Sequence, residues 1–407
     1  MLPTFMEFYS HQLVEGGNVS VSGENASKID IRLVDREVIK KAVSEVLITL
    51  NQMFQSRFQK PIWSKIEVLN GSAFNGSSEF LFDPKVKTEF LIQNKPTFGD
   101  LDITVPGDLK QELGELLGDL EGKMITPKCK YIGSNKSAED IGLGHQYNTI
   151  FQFSGLSEKA PKLNVQIDFE MTEYVDNEPS VFTKFAHSSH LDDLAASLKG
   201  FIHKFLVQSL AGASTKLSPA DAVFLTDKST AEKYKVSSAA GTEKGKSQFV
   251  FSVDKGMRQK MIPVMGKDGK QIEVDGKPAW KARPTGESEY QTKLEVIAQH
   301  MFGDNFDMAD LPKLWSAVGL IELMKKYSSK TTIQGVFDEL TDKMFGRGAQ
   351  HINQTVEEDQ KVKLPAWVAM VEAFPFINQD EAKAMFKKYY SEFEQRQSDM
   401  TTRKAAK

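Results

Sequence analysis

Apolar positions recur with a helical period over Asp35–Phe58. Val38, Ile39, Ala42, Val43, Val46, Leu47, Leu50 and Phe54 fall at i, i+3, i+4 and i+7 and form one stripe. Pro61 follows and stops the helix. Trp63–Leu69 is a short apolar run closed by Asn70-Gly71-Ser72, which predicts a strand ending in a tight turn. Leu101–Val105 alternates with a period of two, and Pro106-Gly107 ends it. Asp108 is then expected to cap a helix carrying Leu109, Leu113, Leu116, Leu117 and Leu120. Between these elements, Glu79–Thr97 follows neither period and reads as an insertion. Lys128–Ile132, Tyr147–Phe153 and Leu163–Glu170 predict three further strands. From Ser188 or Ser189, a face of Leu191, Leu194, Leu198, Phe201, Ile202, Phe205 and Leu206 predicts an amphipathic helix.

This order of elements gives an α+β fold class, a mixed sheet flanked by helices. The Gly/Ser/Asn-rich opening makes 1–30 a flexible segment, and 31–211 a mixed domain. In 212–247 the composition shifts to Ser, Ala, Thr, Lys and Gly, as in a linker or mobile loop. The stretch 248–286 reads as a β-hairpin region, with Asp-Gly turns at Asp268-Gly269 and Asp275-Gly276. Residues 287–400 read as a helical C-terminal domain, with helices near Glu289–Phe302, Leu311–Tyr327, Ile333–Phe345, Ala366–Phe374 and Gln379–Arg396. The basic end, 401–407, is expected to be disordered.

Composition narrows the classes of function. The chain has 407 residues, 40% hydrophobic and 26% charged, enough for two or three domains with large cores. A formal net charge of -4 argues against a protein that simply coats nucleic acid. The single cysteine, Cys129, excludes a disulfide framework and a Cys-based zinc site. It points to a reducing compartment. With no secretory signal pattern and no apolar run of membrane-spanning length, the expected location is cytoplasmic, with no membrane partner.

The candidate chemistry lies in three acids. Residues i and i+2 of a strand share a face, so Asp100 and Asp102 present two carboxylates side by side. Such a pair repels unless a cation lies between the two. Asp168 stands among Val165, Ile167 and Phe169 on what should be a neighbouring strand, and a buried acid needs a partner. Together the three suit an oxygen-lined Mg²⁺ site, of the kind that clamps an in-line phosphoryl displacement. The Gly71-Ser72 turn would hold phosphates with backbone N–H groups and a hydroxyl. Taken singly, each part is ordinary: a solvated edge pair, a salt-bridge partner, a common turn. Their order and strand contexts make the combination specific.

Here the chain resembles the superfamily of DNA polymerase beta-type nucleotidyltransferases, which includes polymerase X enzymes, poly(A) polymerases and CCA-adding enzymes. The resemblance rests on Val68-Leu69-Asn70-Gly71-Ser72-Ala73-Phe74-Asn75-Gly76-Ser77-Ser78, on Phe98-Gly99-Asp100-Leu101-Asp102-Ile103 and on Gln166-Ile167-Asp168-Phe169. It covers roughly Trp63–Ala211. It implies that Asp100 and Asp102 bind two metal ions, Mg²⁺ or Mn²⁺, that Asp168 helps activate the acceptor hydroxyl, and that Gly71 and Ser72 touch the triphosphate of an NTP. The interval from Ser72 to Asp100 exceeds the family's usual spacing. Either Glu79–Thr97 loops out, or Gly76-Ser77 supplies the turn instead. By the same resemblance Lys199 and Lys204, on the helix after the third acid, are candidates to face the triphosphate, with solvated helix residues the default reading.

Other residues carry weaker signals. His187 and His190 stand at i, i+3 before a helix and read as cap-region residues rather than metal ligands. Lys255, Arg258 and Lys260, with further basic residues and Phe251 and Trp280, suit a nucleic-acid backbone with stacked bases. Lysines guarding a ribbon edge would give the same pattern. The leading acceptor is therefore an RNA or DNA 3′ end, with a protein or small-molecule hydroxyl second. The competing class is a binding or assembly protein that keeps the fold without turnover.

Overall fold

The computed structural model describes residues 19–135, 146–182, 190–195, 198, 200–225, 246–252, 256–284, 290–345 and 367–377, with 384, 391 and 395. The chain divides into two compact units, Met1–Gly200 and Phe201–Lys407.

In the first unit, the expected opening segment forms ordered strands from Ser20 onward. These are β1 (Ser20–Val21), β2 (Glu24–Asn25) and β3 (Ile29–Asp30), with β1 paired to β2. Helix α1 (Arg36–Phe58) starts where the Asp35 carboxylate accepts from the backbone N–H of Glu37 and Val38, at 2.8 and 3.2 Å. It ends at Gln59, in the left-handed conformation, two residues before Pro61. Ile39, Val43, Val46, Leu47, Leu50 and Phe54 are buried as the stripe requires, whereas Val38 is exposed.

The chain after α1 departs from the expected strand. Asn51 on α1 accepts from the N–H of Ile62 and Trp63 at 2.7 and 3.0 Å and donates to the Trp63 carbonyl at 3.2 Å. The Trp63 indole donates to the Thr104 carbonyl at 3.0 Å. A backbone satisfied by a helix side chain has no ladder to join, and Ile66–Asn70 coils into a 3₁₀ turn. The strand comes later, as β4 (Phe74–Asn75), and leads straight into α2 (Gly76–Phe82).

Glu79–Thr97 is part of the core rather than an insertion. It completes α2, forms α3 (Thr88–Asn94), and buries Phe80, Leu81, Phe82, Val86 and Leu91. Arg36, itself buried, donates to the carbonyls of Phe80 and Leu81 at 2.8 Å, to that of Asp83 at 2.6 Å, and to that of Val86. It thereby caps carbonyls that the end of a helix leaves without partners.

Strand β5 (Thr97–Phe98) pairs with β3, and β6 (Asp100–Pro106) follows. Asp108 does not cap the next helix. Gly107–Leu109 is a 3₁₀ turn, and α4 (Lys110–Leu120) begins after it without a side-chain cap. Strands β7 (Met124–Thr126), β8 (Cys129–Ser134), β9 (Gln146–Ser157) and β10 (Ala160–Thr172) complete a six-stranded sheet in the order β4-β6-β10-β9-β8-β7. The β6–β10 pair is parallel and the others are antiparallel. The chain is thus a mixed α+β protein, and its first unit contains a six-stranded mixed sheet.

One face of the sheet is apolar. Leu101, Ile103 and Val105 of β6, Val165, Ile167 and Phe169 of β10, and Phe151 and Phe153 of β9 share one core with the stripes of α1 and α4. Each such side chain, fully buried, stabilises by about 1.5–3 kcal/mol relative to exposure. With that face committed to the core, alternate residues of β6 and β10 must lie on the other.

The rest of the chain departs from expectation in three places. The expected helix from Ser188 or Ser189 appears as Leu191–Ala195 and Gly200–Ser214, with its first residues outside those described. Of the stretch 212–247, expected as a linker or mobile loop, the described ends contribute strands, and 226–245 lie outside the described residues. Lys216–Leu217 pairs with Lys246–Ser247, and Val223–Leu225 runs parallel to Lys277–Ala282. The latter strand also pairs with Met261–Pro263 and, through Asp275-Gly276, with Glu273–Val274. Asp275 and Gly276 both have positive φ, 53° and 73°, as the expected hairpin turn demands. Helices follow at Leu294–Phe302, Ala317–Tyr327 and Lys330–Phe345. The expected helix Leu311–Tyr327 is split. A 3₁₀ stretch containing Pro312 ends at Ser316, whose hydroxyl accepts from the Gly319 N–H at 2.8 Å and starts the next helix. The tail 401–407 and most of Gln379–Arg396 lie outside the described residues.

Candidate metal centre

Strands β6 and β10 run parallel with Asp100 beside Gln166, Asp102 beside Asp168 and Thr104 beside Glu170. Neighbours in register point to the same face, so the acids of the two strands meet away from the core. One ligand oxygen from each of Asp100, Asp102 and Asp168 can be chosen so that all three lie within 4.8 Å of one another. Asp100 and Asp102 are half-buried and Asp168 is buried. The expected convergence of Asp100 and Asp102 with Asp168, which lies 66 positions after Asp102, is present.

Neighbouring amides hold Asp168 and Glu170. Asn148 on β9 donates to Oδ2 of Asp168 at 2.9 Å, and the Gln166 amide donates to both its oxygens, at 3.0 and 2.9 Å. Glu170, also buried, accepts from the Asn75 amide at 2.8 Å. The Ser78 hydroxyl accepts from the backbone N–H of Asp102 at 2.8 Å, tying α2 to β6.

The described charges acting on the cluster are mostly negative. Burial drives the Asp102 carboxyl well above its ordinary range; Glu170, Asp100 and Asp168 push it further, and among the described residues Lys95 acts the other way. Asp168 is pushed up to about 7, mainly by burial and then by Asp100, against the two amide hydrogen bonds. Glu170 is raised too, first by burial. Oxygen donors that repel each other in a partly dry site suit a hard divalent cation, and Mg²⁺ or Mn²⁺ fits this donor set.

The turn beside the acids is Gly76-Ser77. Strand β4 pairs with β6 so that Asn75 stands opposite Asp102, and the chain then turns through Gly76 at φ 57°. A Cβ at Gly76 would lie 2.9 Å from Oδ2 of Asp102, so only glycine lets the backbone approach the carboxylate this closely. Gly71 and Ser72 make their contacts elsewhere. The Gly71 N–H donates to the Val68 carbonyl at 3.2 Å, and the Ser72 hydroxyl donates to Glu178 at 3.1 Å. Of the two turns the sequence left open, the second adjoins the acids, because the strand starts at Phe74 rather than at Trp63.

Lys204 is half-buried on Gly200–Ser214, Arg258 is half-buried and Lys260 exposed in the second unit. Lys199, Lys255 and His187 lie outside the described residues. His190 behaves as a cap-region residue, its Nδ1 accepting from the Asp192 N–H at 3.3 Å.

Gln166, Glu170, Asn148, Asn75, Ser78 and Lys95 were not anticipated. The first two were within reach, since they stand at i-2 and i+2 of Asp168 and must share its face. The others depend on sheet order and on the path of α2, which no local pattern carries. No protein-family model, curated protein or solved structure matches the chain at a significant level.

Proposed function

We propose that this chain is a metal-dependent nucleotidyltransferase with a DNA polymerase beta-type catalytic domain, transferring a nucleoside monophosphate from an NTP to a hydroxyl. The observation that carries this reading is the meeting of Asp100, Asp102 and Asp168 on adjacent parallel strands. The Gly76 turn in contact with Asp102 supports it.

In this reading Asp100, Asp102 and Asp168 hold Mg²⁺ or Mn²⁺. The ion, when bound, neutralises charge on the triphosphate and lowers the pKa of the acceptor hydroxyl. Gly76 and Ser77 give the triphosphate close approach, in place of Gly71 and Ser72. Asn148 and Gln166 fix the Asp168 carboxylate, which receives the acceptor's proton. The acceptor oxygen bonds to the α-phosphorus, the bond from that phosphorus to the bridging oxygen breaks, and pyrophosphate leaves.

An RNA or DNA 3′ end is the preferred acceptor, supported by the exposed Lys260, Lys267 and Lys270 and the half-buried Arg258, Lys281 and Arg283 of the second unit. No helix among the described residues is long and apolar enough to cross a membrane. Buried Cys129, its thiol pushed up to about 12 by burial, is no nucleophile and is compatible with a reducing, cytoplasmic setting.

Incubation with radiolabelled NTPs, Mg²⁺ and RNA, DNA or no acceptor tests the proposal. It expects pyrophosphate release and labelled acceptor, both lost in Asp100→Ala and Asp102→Ala variants that remain folded. No release with any acceptor would favour the binding or assembly reading.

A further inference from the structure

We infer that Gln166 supplies a fourth, uncharged oxygen to the cation held by Asp100, Asp102 and Asp168. The inference rests on the reading of those acids as a cation site. In the β6–β10 register Gln166 lies beside Asp100 and two residues before Asp168, so the four side chains occupy the corners of one patch on the sheet face. Gln166 is only 3% exposed.

The hydrogen bonds settle which end of its amide faces where. The amide nitrogen faces Asp168, donating to its two oxygens at 3.0 and 2.9 Å. The carbonyl oxygen is then the end of the amide that does not face Asp168. That oxygen is buried and has no donor among the described residues. Buried acceptors in folded proteins are nearly always paired, and an orphan two residues from Asp168 and beside Asp100 in the sheet register is a candidate ligand for a cation. Amide carbonyls are ordinary ligands of hard divalent cations. A neutral oxygen also completes coordination without adding to the negative charge that already burdens Asp102.

The alternative is that Gln166 only tethers Asp168. Two variants separate the roles. Gln166→Met keeps the length but loses both oxygen and donor; Gln166→Glu keeps an oxygen but loses the donor. Mn²⁺ binding to the full chain is read from the electron paramagnetic resonance signal of the free ion, with folding checked by circular dichroism. Expected is about tenfold weaker binding by Gln166→Met, as for other groups that support a metal site, and binding by Gln166→Glu at least as tight as wild type. The inference is overturned alone if wild type binds Mn²⁺ and Gln166→Met binds it equally well, or if Gln166→Glu is as weak as Gln166→Met. A wild-type chain that binds no Mn²⁺ overturns it together with the cation-site reading. Should Gln166→Met fail to fold, wild type carrying side-chain ¹³C-carbonyl glutamine decides. A ¹³C coupling to bound Mn²⁺ that disappears in Gln166→Glu supports the ligand, and no coupling in wild type refutes it.

Discussion

Asp168 stands directly beside Asp102 in the parallel register of β10 and β6, so the buried third acid adds its charge to a carboxyl already short of solvent. Without a cation this arrangement opposes folding. Asp102→Asn should therefore raise the midpoint of thermal unfolding of the metal-free protein, by about 2–4 °C if roughly 1 kcal/mol of repulsion is relieved. Mg²⁺ should raise the midpoint of wild type and leave that of the variant unchanged. An unaltered metal-free midpoint would mean that the cluster is already neutralised by protons or neighbours.

The two glycine turns make opposite forecasts. Gly76→Ala puts a methyl group against Oδ2 of Asp102 and demands a positive φ that alanine tolerates poorly. Transfer should fall by at least an order of magnitude, the scale of displaced catalytic groups. Gly71→Ala enters open space and should leave kcat/KM within about twofold. Steady-state kinetics on both variants checks this, and the reverse ranking would return the phosphate contacts to Gly71-Ser72.

Arg36 is the main tie between α1 and the end of α2. Arg36→Ala leaves the carbonyls of Phe80, Leu81, Asp83 and Val86 without their donor in a buried site. A loss of about 3 kcal/mol or more is expected in urea unfolding, since each orphaned group costs about 1–3 kcal/mol. A loss below about 1 kcal/mol would show that water replaces the guanidinium.

Lys343 should impose a pH dependence on the second unit. Its ammonium lies 3.3 Å from the Ser209 hydroxyl and 3.9 Å from Glu339, and burial lowers its pKa from 10.5 to about 8. Between those values the unfolded chain holds a proton that the folded chain has released, so stability rises with pH from about 8 and levels off near the ordinary value. Unfolding followed across that range should show the rise in wild type and lose it in Lys343→Met. A flat wild-type profile would contradict the burial of the charge.

Much of the centre was readable because strand alternation is strict. Once Leu101 and Ile103 face a core, Asp100 and Asp102 cannot, and the same logic governs Ile167 and Asp168. Long helices such as α1 were equally legible from their stripe. What escaped was set by distant contacts. Asn51 and Thr104 take up the hydrogen bonds around Trp63 that a strand would have used, and Arg36 turns Glu79–Thr97 from an apparent insertion into core. Helices of seven residues, as α2 and α3 are, are too short to print a period. The split at Ser316 was signalled by Pro312 and by a serine able to cap, but the continuous apolar pattern masked both.

Diffraction from crystals soaked with Mn²⁺ and a non-hydrolysable NTP tests the central claim most directly. The account predicts an anomalous peak within about 2.3 Å of carboxylate oxygens from Asp100, Asp102 and Asp168, with the triphosphate against Gly76-Ser77. A nucleotide bound elsewhere, or three acids that stay empty at saturating Mn²⁺, would contradict it.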